Sequence, residues 1–201
     1  MELFRGRTVQ LTQLLFQHAR FGATAAEISV IVPDQPVEYF VCRDQFPRSS
    51  SLIDQRDGKN VANDGSVPFC AKNAASAEFL DTFSILRREP QHDTIIFGMQ
   101  CKFGFTATSP DARIAMVSHE VVKARNALHK HPVPGCGCAV FGFLVSFRFP
   151  PDHPVPPEAF IVDQSNILEF FSVFGRRAKL LFDKGSAFSR FSIICCILSV
   201  F

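Results

Sequence analysis

The alternation of apolar and polar residues is clearest in two consecutive segments near the middle of the chain. Residues 79–86 (FLDTFSIL) alternate along the first segment, and residues 94–105 (TIIFGMQCKFGF) form a second segment rich in β-forming residues. Between them, residues 87–93 are mostly polar and contain a proline. A period of two indicates strands, and a short polar segment between two strands indicates a turn. The pattern therefore predicts a β-hairpin over residues 79–105.

The same period predicts which side chains share a face of this hairpin. Successive side chains of a strand point to opposite faces of a sheet. On the first strand Asp81 is in phase with Phe83 and Ile85, and on the second strand Gln100 is in phase with Lys102. We therefore expect the carboxylate of Asp81 and the ammonium group of Lys102 to meet on one surface.

A helix with a clear start is predicted after the hairpin. Ser109 offers a hydroxyl cap, Pro110 fits the first turn, and Asp111 complements the positive end of the helix dipole. Apolar residues then recur at steps of three and four as far as Lys130. This spacing predicts that one face of the helix packs on a sheet, while Arg113 remains in solvent.

A buried strand is predicted after this helix, because residues 138–147 (CAVFGFLVSF) are apolar nearly throughout. A strand, a helix and a strand of these lengths form a crossover, which predicts parallel pairing with the second strand of the hairpin. The remaining predicted elements are an amphipathic helix at 9–20, an edge hairpin at 28–32 and 37–42, an edge strand at 159–162 and a helix at 165–174.

Composition indicates a globular domain that can bury a core, since 47% of the 201 residues are hydrophobic and 20% are charged, and the order of predicted strands and helices makes this an α/β domain. We expect this single domain to cover residues 1–180, with a mixed sheet flanked by helices and a flexible loop at 43–68. Residues 181–201 form an apolar tail whose final run is too short for the ~20 residues that span a bilayer. The net charge of +2 is small, so any contact with nucleic acid must be local.

Cysteine usage favours an intracellular protein, nuclear or cytoplasmic, without membrane partners. The seven cysteines are an odd number, and no apolar signal segment follows the charged N-terminus. His129, His131, Cys136 and Cys138 could form a zinc site, although one residue between the two cysteines is tight for a tetrahedral ion. The alternative is that Cys138 packs as a small hydrophobic residue in its strand.

The placement of Asp81 ahead of Gln100-Cys101-Lys102 resembles the PD-(D/E)XK nuclease superfamily. The string IIFGMQCKF, followed by a helix, an apolar strand and VDQSNILEFF, looks most like the nuclease-like region of retrotransposon hot spot and Crinkler-type proteins. The resemblance implies a restriction-endonuclease-like mixed sheet, in which a central hairpin, a crossover helix and a parallel strand carry the site. The sequence departs from the superfamily pattern at Gln100, because the pattern has a second acidic residue at this position.

The same resemblance implies the roles of the site residues. Asp81, Gln100 and the backbone carbonyl of Cys101 would hold Mg²⁺ or Mn²⁺, and Lys102 would stabilise the attacking hydroxide or the charge developing on the phosphate. Gln100 can offer a neutral oxygen but no negative charge. The implied function is a degenerate metal-dependent nuclease-like domain that binds nucleic acid, DNA in preference to RNA, and hydrolyses phosphodiester bonds. The alternative is a catalytically inactive binding or interaction module, or a fragment of a larger multigene-family protein.

Overall fold

The computed structural model describes residues 2–15, 18–42, 45–47, 69–74, 80–103, 109–146, 149–163, 165–166 and 169–170. The predicted tail at 181–201 lies outside these residues, as does most of the predicted helix at 165–174. Of the predicted loop at 43–68 only residues 45–47 are described, and Phe46 among them is buried.

Strands predominate along the described chain, and three α-helices separate some of them. A short 3₁₀ turn at Glu2–Phe4 precedes the first strand. In chain order the elements are β1 (Arg7–Gln10), α1 (Leu11–Leu15), β2 (Arg20–Phe21), α2 (Ala23–Ala26), β3 (Ser29–Val32), β4 (Glu38–Val41), β5 (Phe69–Lys72), β6 (Thr82–Glu89), β7 (Thr94–Phe103), α3 (Pro110–Lys130), β8 (Cys136–Val145) and β9 (Ala159–Val162). The protein is therefore an α/β protein, as its sequence predicts.

The described strands form one mixed sheet in which antiparallel pairs outnumber parallel ones. Its main path runs β1-β3-β6-β7-β8-β9-β2, and β5 joins β6 beside β3 while β4 pairs with β5. The antiparallel pairing of β6 with β7 confirms the predicted hairpin. The parallel pairing of β7 with β8 across α3 confirms the predicted crossover.

Helices cover both faces of the sheet. Ile95, Phe97 and Met99 of β7 face a core that includes residues of α1 and α2. Ile96, in the opposite phase, joins a second core built with residues of α3. A Cβ atom at Gly142 of β8 would overlap Val117 of α3, so the glycine allows the helix to lie close against the strand.

The extent of the helix predicted at 9–20 is wrong. Val9 and Gln10 belong to β1, which pairs with β3, and α1 covers only Leu11–Leu15. Arg20 begins β2, which pairs with β9. Pairing in the sheet outweighs the helical propensity of this segment, because tertiary context routinely overrides propensity.

The edge hairpin predicted at 28–32 and 37–42 is wrong in its pairing, although strands exist in both segments. β3 lies between β1 and β6, whereas β4 pairs in parallel with β5, a strand that the sequence pattern does not predict. The strand predicted as an edge at 159–162 is β9, which lies between β8 and β2. These strands have four residues or fewer each, which is too short for their own pattern to specify a partner.

Candidate functional site at the base of the central hairpin

The carboxylate of Asp81 contacts the main chain of β7 at the base of the hairpin. Its Oδ2 atom accepts a hydrogen bond from the N–H of Cys101 at 2.6 Å. The N–H of Asp81 donates to the carbonyl oxygen of Met99 at 2.9 Å. Hydrogen bonds to a charged acceptor are short and about twice as strong as neutral ones. The bond therefore fixes Asp81 against the segment 100–102 that the sequence singles out.

The chain carries one extra residue where β6 begins. Thr82 is the register partner of Met99, and Asp81 also donates to Met99. When two residues of one strand lie opposite a single residue of the partner strand, the first strand contains a β-bulge. Leu80 belongs to the same buried cluster as Phe83, which a regular alternation from residue 80 to residue 83 would not allow. Simple alternation therefore does not extend to Asp81, whose side chain was expected to be in phase with Phe83.

Gln100, the residue before Cys101, has a buried side-chain oxygen. The residue is 5% exposed, and its Oε1 atom has no hydrogen-bond partner among the described groups. A buried acceptor without a partner costs about 1–3 kcal/mol, and such groups are rare in folded proteins. Because Gln100 directly precedes Cys101, this oxygen belongs to the strand segment that Asp81 contacts.

Lys102 continues the same strand. Its backbone pairs with Leu144 of β8, and Leu144 packs with Val117 of α3. The side chain of Lys102 lies outside the described part of the structure. The predicted approach of its ammonium group to Asp81 therefore stays a prediction.

The oxygen donors near this junction are few. No cluster of three or more His, Cys, Asp or Glu residues is found within the described residues. Asp81, Gln100 and the carbonyl of Cys101 would offer one carboxylate, one amide and one main-chain oxygen. Mg²⁺ usually keeps several waters and takes one or two carboxylates together with substrate phosphates. A Mg²⁺ ion held by these oxygens would therefore be bound mainly by water and phosphate, and Oε1 of Gln100, which has no partner among the described groups, would be the neutral side-chain ligand.

Asn73 connects Asp81 to a distant part of the chain. Its N–H donates to the carbonyl oxygen of Asp81 at 2.9 Å. Its side-chain Oδ1 accepts the N–H of Phe46 at 2.9 Å, and its Nδ2 donates to the carbonyl oxygen of Phe46 at 2.7 Å. The ring of Phe46 stacks on Phe83 with 4.1 Å between ring centroids. Sequence reasoning missed the hydrogen bonds between Asn73 and Phe46, because these two residues are 27 positions apart in the chain.

Arg113 is buried, so the prediction that it remains in solvent is wrong. It is 1% exposed, and its guanidinium group donates to the hydroxyl oxygen of Ser146. Ser146 directly follows β8, so the bond joins the first turn of α3 to the end of a central strand. A signal was present in the sequence, because Arg113 precedes Val117 and Val121 by four and eight residues and shares their face of the helix.

A second polar cluster lies at the end of β9. Asp163 is fully buried, and its Oδ2 atom is 2.8 Å from Nε of Arg20. Its Oδ1 atom accepts the N–H of Ser165 at 2.8 Å and the hydroxyl of Ser165 at 2.6 Å. The Arg20 guanidinium also donates to carbonyl oxygens of residues 150–153 and lies 5.6 Å from the ring centroid of Phe149. These contacts tie β2, β9 and the loop before β9 together, so the role of Asp163 is structural.

The histidines and cysteines of the zinc hypothesis form only a loose pair. The sulfur of Cys138 is 3.7 Å from Nε2 of His129. Burial raises the pKa of the Cys136 and Cys138 thiols, which favours the neutral thiol, whereas zinc binds the thiolate. Both cysteines pack against the core beneath α3. The geometry supports the alternative that they are core residues.

Comparison with known proteins adds no assignment to this geometry. No protein-family model matches the chain, and neither a curated protein nor a solved structure matches it significantly. Among the helices formed by described residues, none is long and apolar enough to cross a membrane. A functional proposal therefore depends on the residues at the base of the β6–β7 hairpin.

Proposed function

We propose that the chain is a nuclease-like α/β domain that binds nucleic acid and hydrolyses phosphodiester bonds with the help of Mg²⁺. The antiparallel hairpin, the long helix and the parallel strand that follows it are the elements that a restriction-endonuclease-like fold requires at its centre. In this proposal the site lies where β6 begins and β7 approaches its end.

One observation carries the proposal: the carboxylate of Asp81 is hydrogen-bonded to the main chain of Cys101, the residue after Gln100, whose buried Oε1 atom has no hydrogen-bond partner among the described groups. The N–H of Cys101 occupies one of the about four acceptor sites of the carboxylate. A buried amide oxygen that lowers stability is more easily understood if a ligand sometimes occupies it.

Each residue has a distinct role in the proposal. Asp81 provides the negative charge, Gln100 and the carbonyl of Cys101 provide neutral oxygens, and Lys102 stabilises negative charge on the phosphate. A bound divalent ion polarises the phosphoryl oxygen and lowers the pKa of a bound water. Because only one carboxylate contributes, we expect weaker metal binding than in a site with two acids.

Metal binding can be tested by thermal unfolding in the presence of increasing Mn²⁺ or Mg²⁺. A ligand that binds only the folded state stabilises it by about 2.7 kcal/mol at a concentration of 100 times Kd. We expect stabilisation of the wild-type protein, its loss in Asp81→Asn, and stronger stabilisation in Gln100→Glu. Asp93→Asn is the matched control, since Asp93 lies at the opposite end of β7 and pairs with Arg88.

Hydrolysis can be tested by the nicking of supercoiled plasmid DNA under the same conditions. We expect Mg²⁺-dependent nicking by the wild-type protein and by Asp93→Asn, and no nicking by Asp81→Asn or Lys102→Ala. Equal nicking by the wild-type protein and the Asp81 and Lys102 variants would remove the catalytic proposal.

A second candidate, a binding module without catalysis, is favoured by the hydrogen bond between Asp81 and Cys101 itself. In this candidate the carboxylate replaces a missing backbone partner of β7 and has only a structural role. It predicts that no divalent ion stabilises the protein. It also predicts that Gln100→Glu lowers stability, because the new charge is buried without a counter-ion.

A further inference from the structure

A groove of about 470 Å³ follows the outer side of the C-terminal half of α3. Its polar lining among the described residues consists of His119, Lys123, Asn126, Lys130 and His131. From His119 to Lys130 this lining extends for about 16 Å, at 1.5 Å per helical residue. It therefore forms a continuous strip rather than an isolated charge.

The charged residues in the described lining of this strip have a single sign, since Glu120, one residue after His119, is not among them. In the sequence no acidic residue occurs between Glu120 and Asp152, whereas Lys123, Arg125 and Lys130 are basic. Arg125 pairs with Glu158 and does not line the groove. The two lysines of the groove thus give its described lining a positive charge that favours anionic ligands.

We propose that this groove, the α3 groove, binds the phosphate backbone of nucleic acid without the help of a metal. Nucleic acid is chosen among polyanions because of the proposed function, on which this inference rests. One strand of a duplex rises 3.4 Å per nucleotide, so the strip matches about five phosphates. The described lining contains no phenylalanine or tyrosine on which an unpaired base could stack, so we expect the groove to bind the backbone of a duplex rather than the bases of a single strand.

The α3 groove and the Asp81 junction lie toward opposite ends of the same helix. Lys130 is followed by the start of β8, where Cys136 pairs with Thr94. Arg113, at the other end of α3, contacts Ser146 beyond the end of β8. About 25 Å of helix separates Lys130 from Arg113, which equals about seven base pairs of duplex. This separation along the helix is within the length of one short duplex.

The test uses the full chain and a fluorescein-labelled 20-base-pair DNA duplex, with binding measured by fluorescence anisotropy in EDTA. Lys130→Gln and the double variant Lys123→Gln/Lys130→Gln are compared with the wild-type protein at several salt concentrations. By counterion release each lost phosphate contact costs on the order of eightfold in affinity at 100 mM salt. We expect the double variant to lose about fiftyfold and to reduce the slope of log K against log salt by about two.

The matched control is Arg5→Gln/Arg7→Gln, which removes the same charge near the β1 edge of the sheet. We expect it to change affinity by less than about threefold, since distant charges are screened at 100 mM salt. An equal loss in the control, no binding by the wild-type protein in EDTA, or equally good competition by polyglutamate would each overturn the proposal. Because EDTA removes the metal, these outcomes are separate from those of the metal titration and the nicking assay.

Discussion

Two carboxylates lie at strand ends of the same sheet, and the protein uses them differently. Asp163, after β9, is fully buried, lies 2.8 Å from Nε of Arg20 and accepts two hydrogen bonds from Ser165. Asp81, before β6, is half-buried and contacts the main chain of Cys101 in β7, the residue after Gln100, whose Oε1 atom has no partner among the described groups.

The difference shows how a structural polar cluster can be told from a candidate binding site. A buried charge is tolerated when a counter-charge and hydrogen bonds surround it, and residues of the chain provide both for Asp163. At the hairpin base two buried oxygens, Oε1 of Gln100 and Oγ1 of Thr82, have no hydrogen-bond partner among the described residues, at a cost in stability. Natural proteins accept such costs mainly at functional sites.

We expect the largest change in the free energy of unfolding when the polar cluster around Asp163 is broken. Arg20→Ala leaves the charge of Asp163 buried without its partner, and we expect the free energy of unfolding to fall by about 3–5 kcal/mol. Denaturant unfolding measures this change. Arg5→Ala is the control, because the Arg5–Asp34 pair is long, at 3.8 Å, and Asp34 is 81% exposed. A loss for Arg20→Ala no larger than that for Arg5→Ala would mean that the ion pair does not stabilise the fold.

A smaller change in the free energy of unfolding, of opposite sign, is expected from a substitution of Gln100 at the hairpin base. Gln100→Leu removes the unpartnered acceptor and keeps a similar volume, so we expect the free energy of unfolding to rise by about 1–3 kcal/mol. The same variant should lose any stabilisation by Mn²⁺. Gln91→Leu, in the exposed turn between β6 and β7, should change stability by less than about 0.5 kcal/mol. If Gln100→Leu destabilises the protein, the amide has a structural role and the comparison with Asp163 fails.

The smallest effect concerns a third carboxylate, at the exposed turn of the hairpin. Hydrogen bonds from Arg88 lower the pKa of Asp93 below its ordinary value of 3.8. The unfolded chain therefore binds this proton at a higher pH than the folded protein, and the stabilisation is present above pH 3.8 and lost as the pH falls. We expect a contribution below about 1 kcal/mol, because the pair is exposed. Unfolding of wild-type, Arg88→Gln and Arg87→Gln proteins at pH 3 and pH 6 measures it; only Arg88→Gln should flatten the pH dependence.

The parts of the fold that depend on local signals could be predicted from the sequence. The hairpin follows from alternation on both sides of a polar turn, and α3 follows from its cap, since Ser109 Oγ accepts the N–H of Ala112 at 3.2 Å as expected. The partners of β3 and β4 could not be predicted, because strands of four residues can pair with many others.

The candidate site was predictable only in its outline. Asp81 and Gln100 were both singled out, and the contact between Asp81 and Cys101 joins the two segments. The phase of Asp81 was not predictable, because a bulge leaves no period in the sequence. The bonds between Asn73 and Phe46 were also hidden, since nothing local indicates a partner 27 residues away.

The bulge at Asp81 and Thr82 lets the chain hold one extra residue without changing which core Leu80 joins. Leu80 and Phe83 lie in the same core beneath α3 although three positions separate them. Removing either Asp81 or Thr82 would leave one residue between them, so regular alternation would keep both side chains on that face. Inserting one residue into the regular part of β6 would instead turn the residues before the insertion to the opposite face. The chain should accordingly tolerate a one-residue deletion at the bulge better than a one-residue insertion inside the strand.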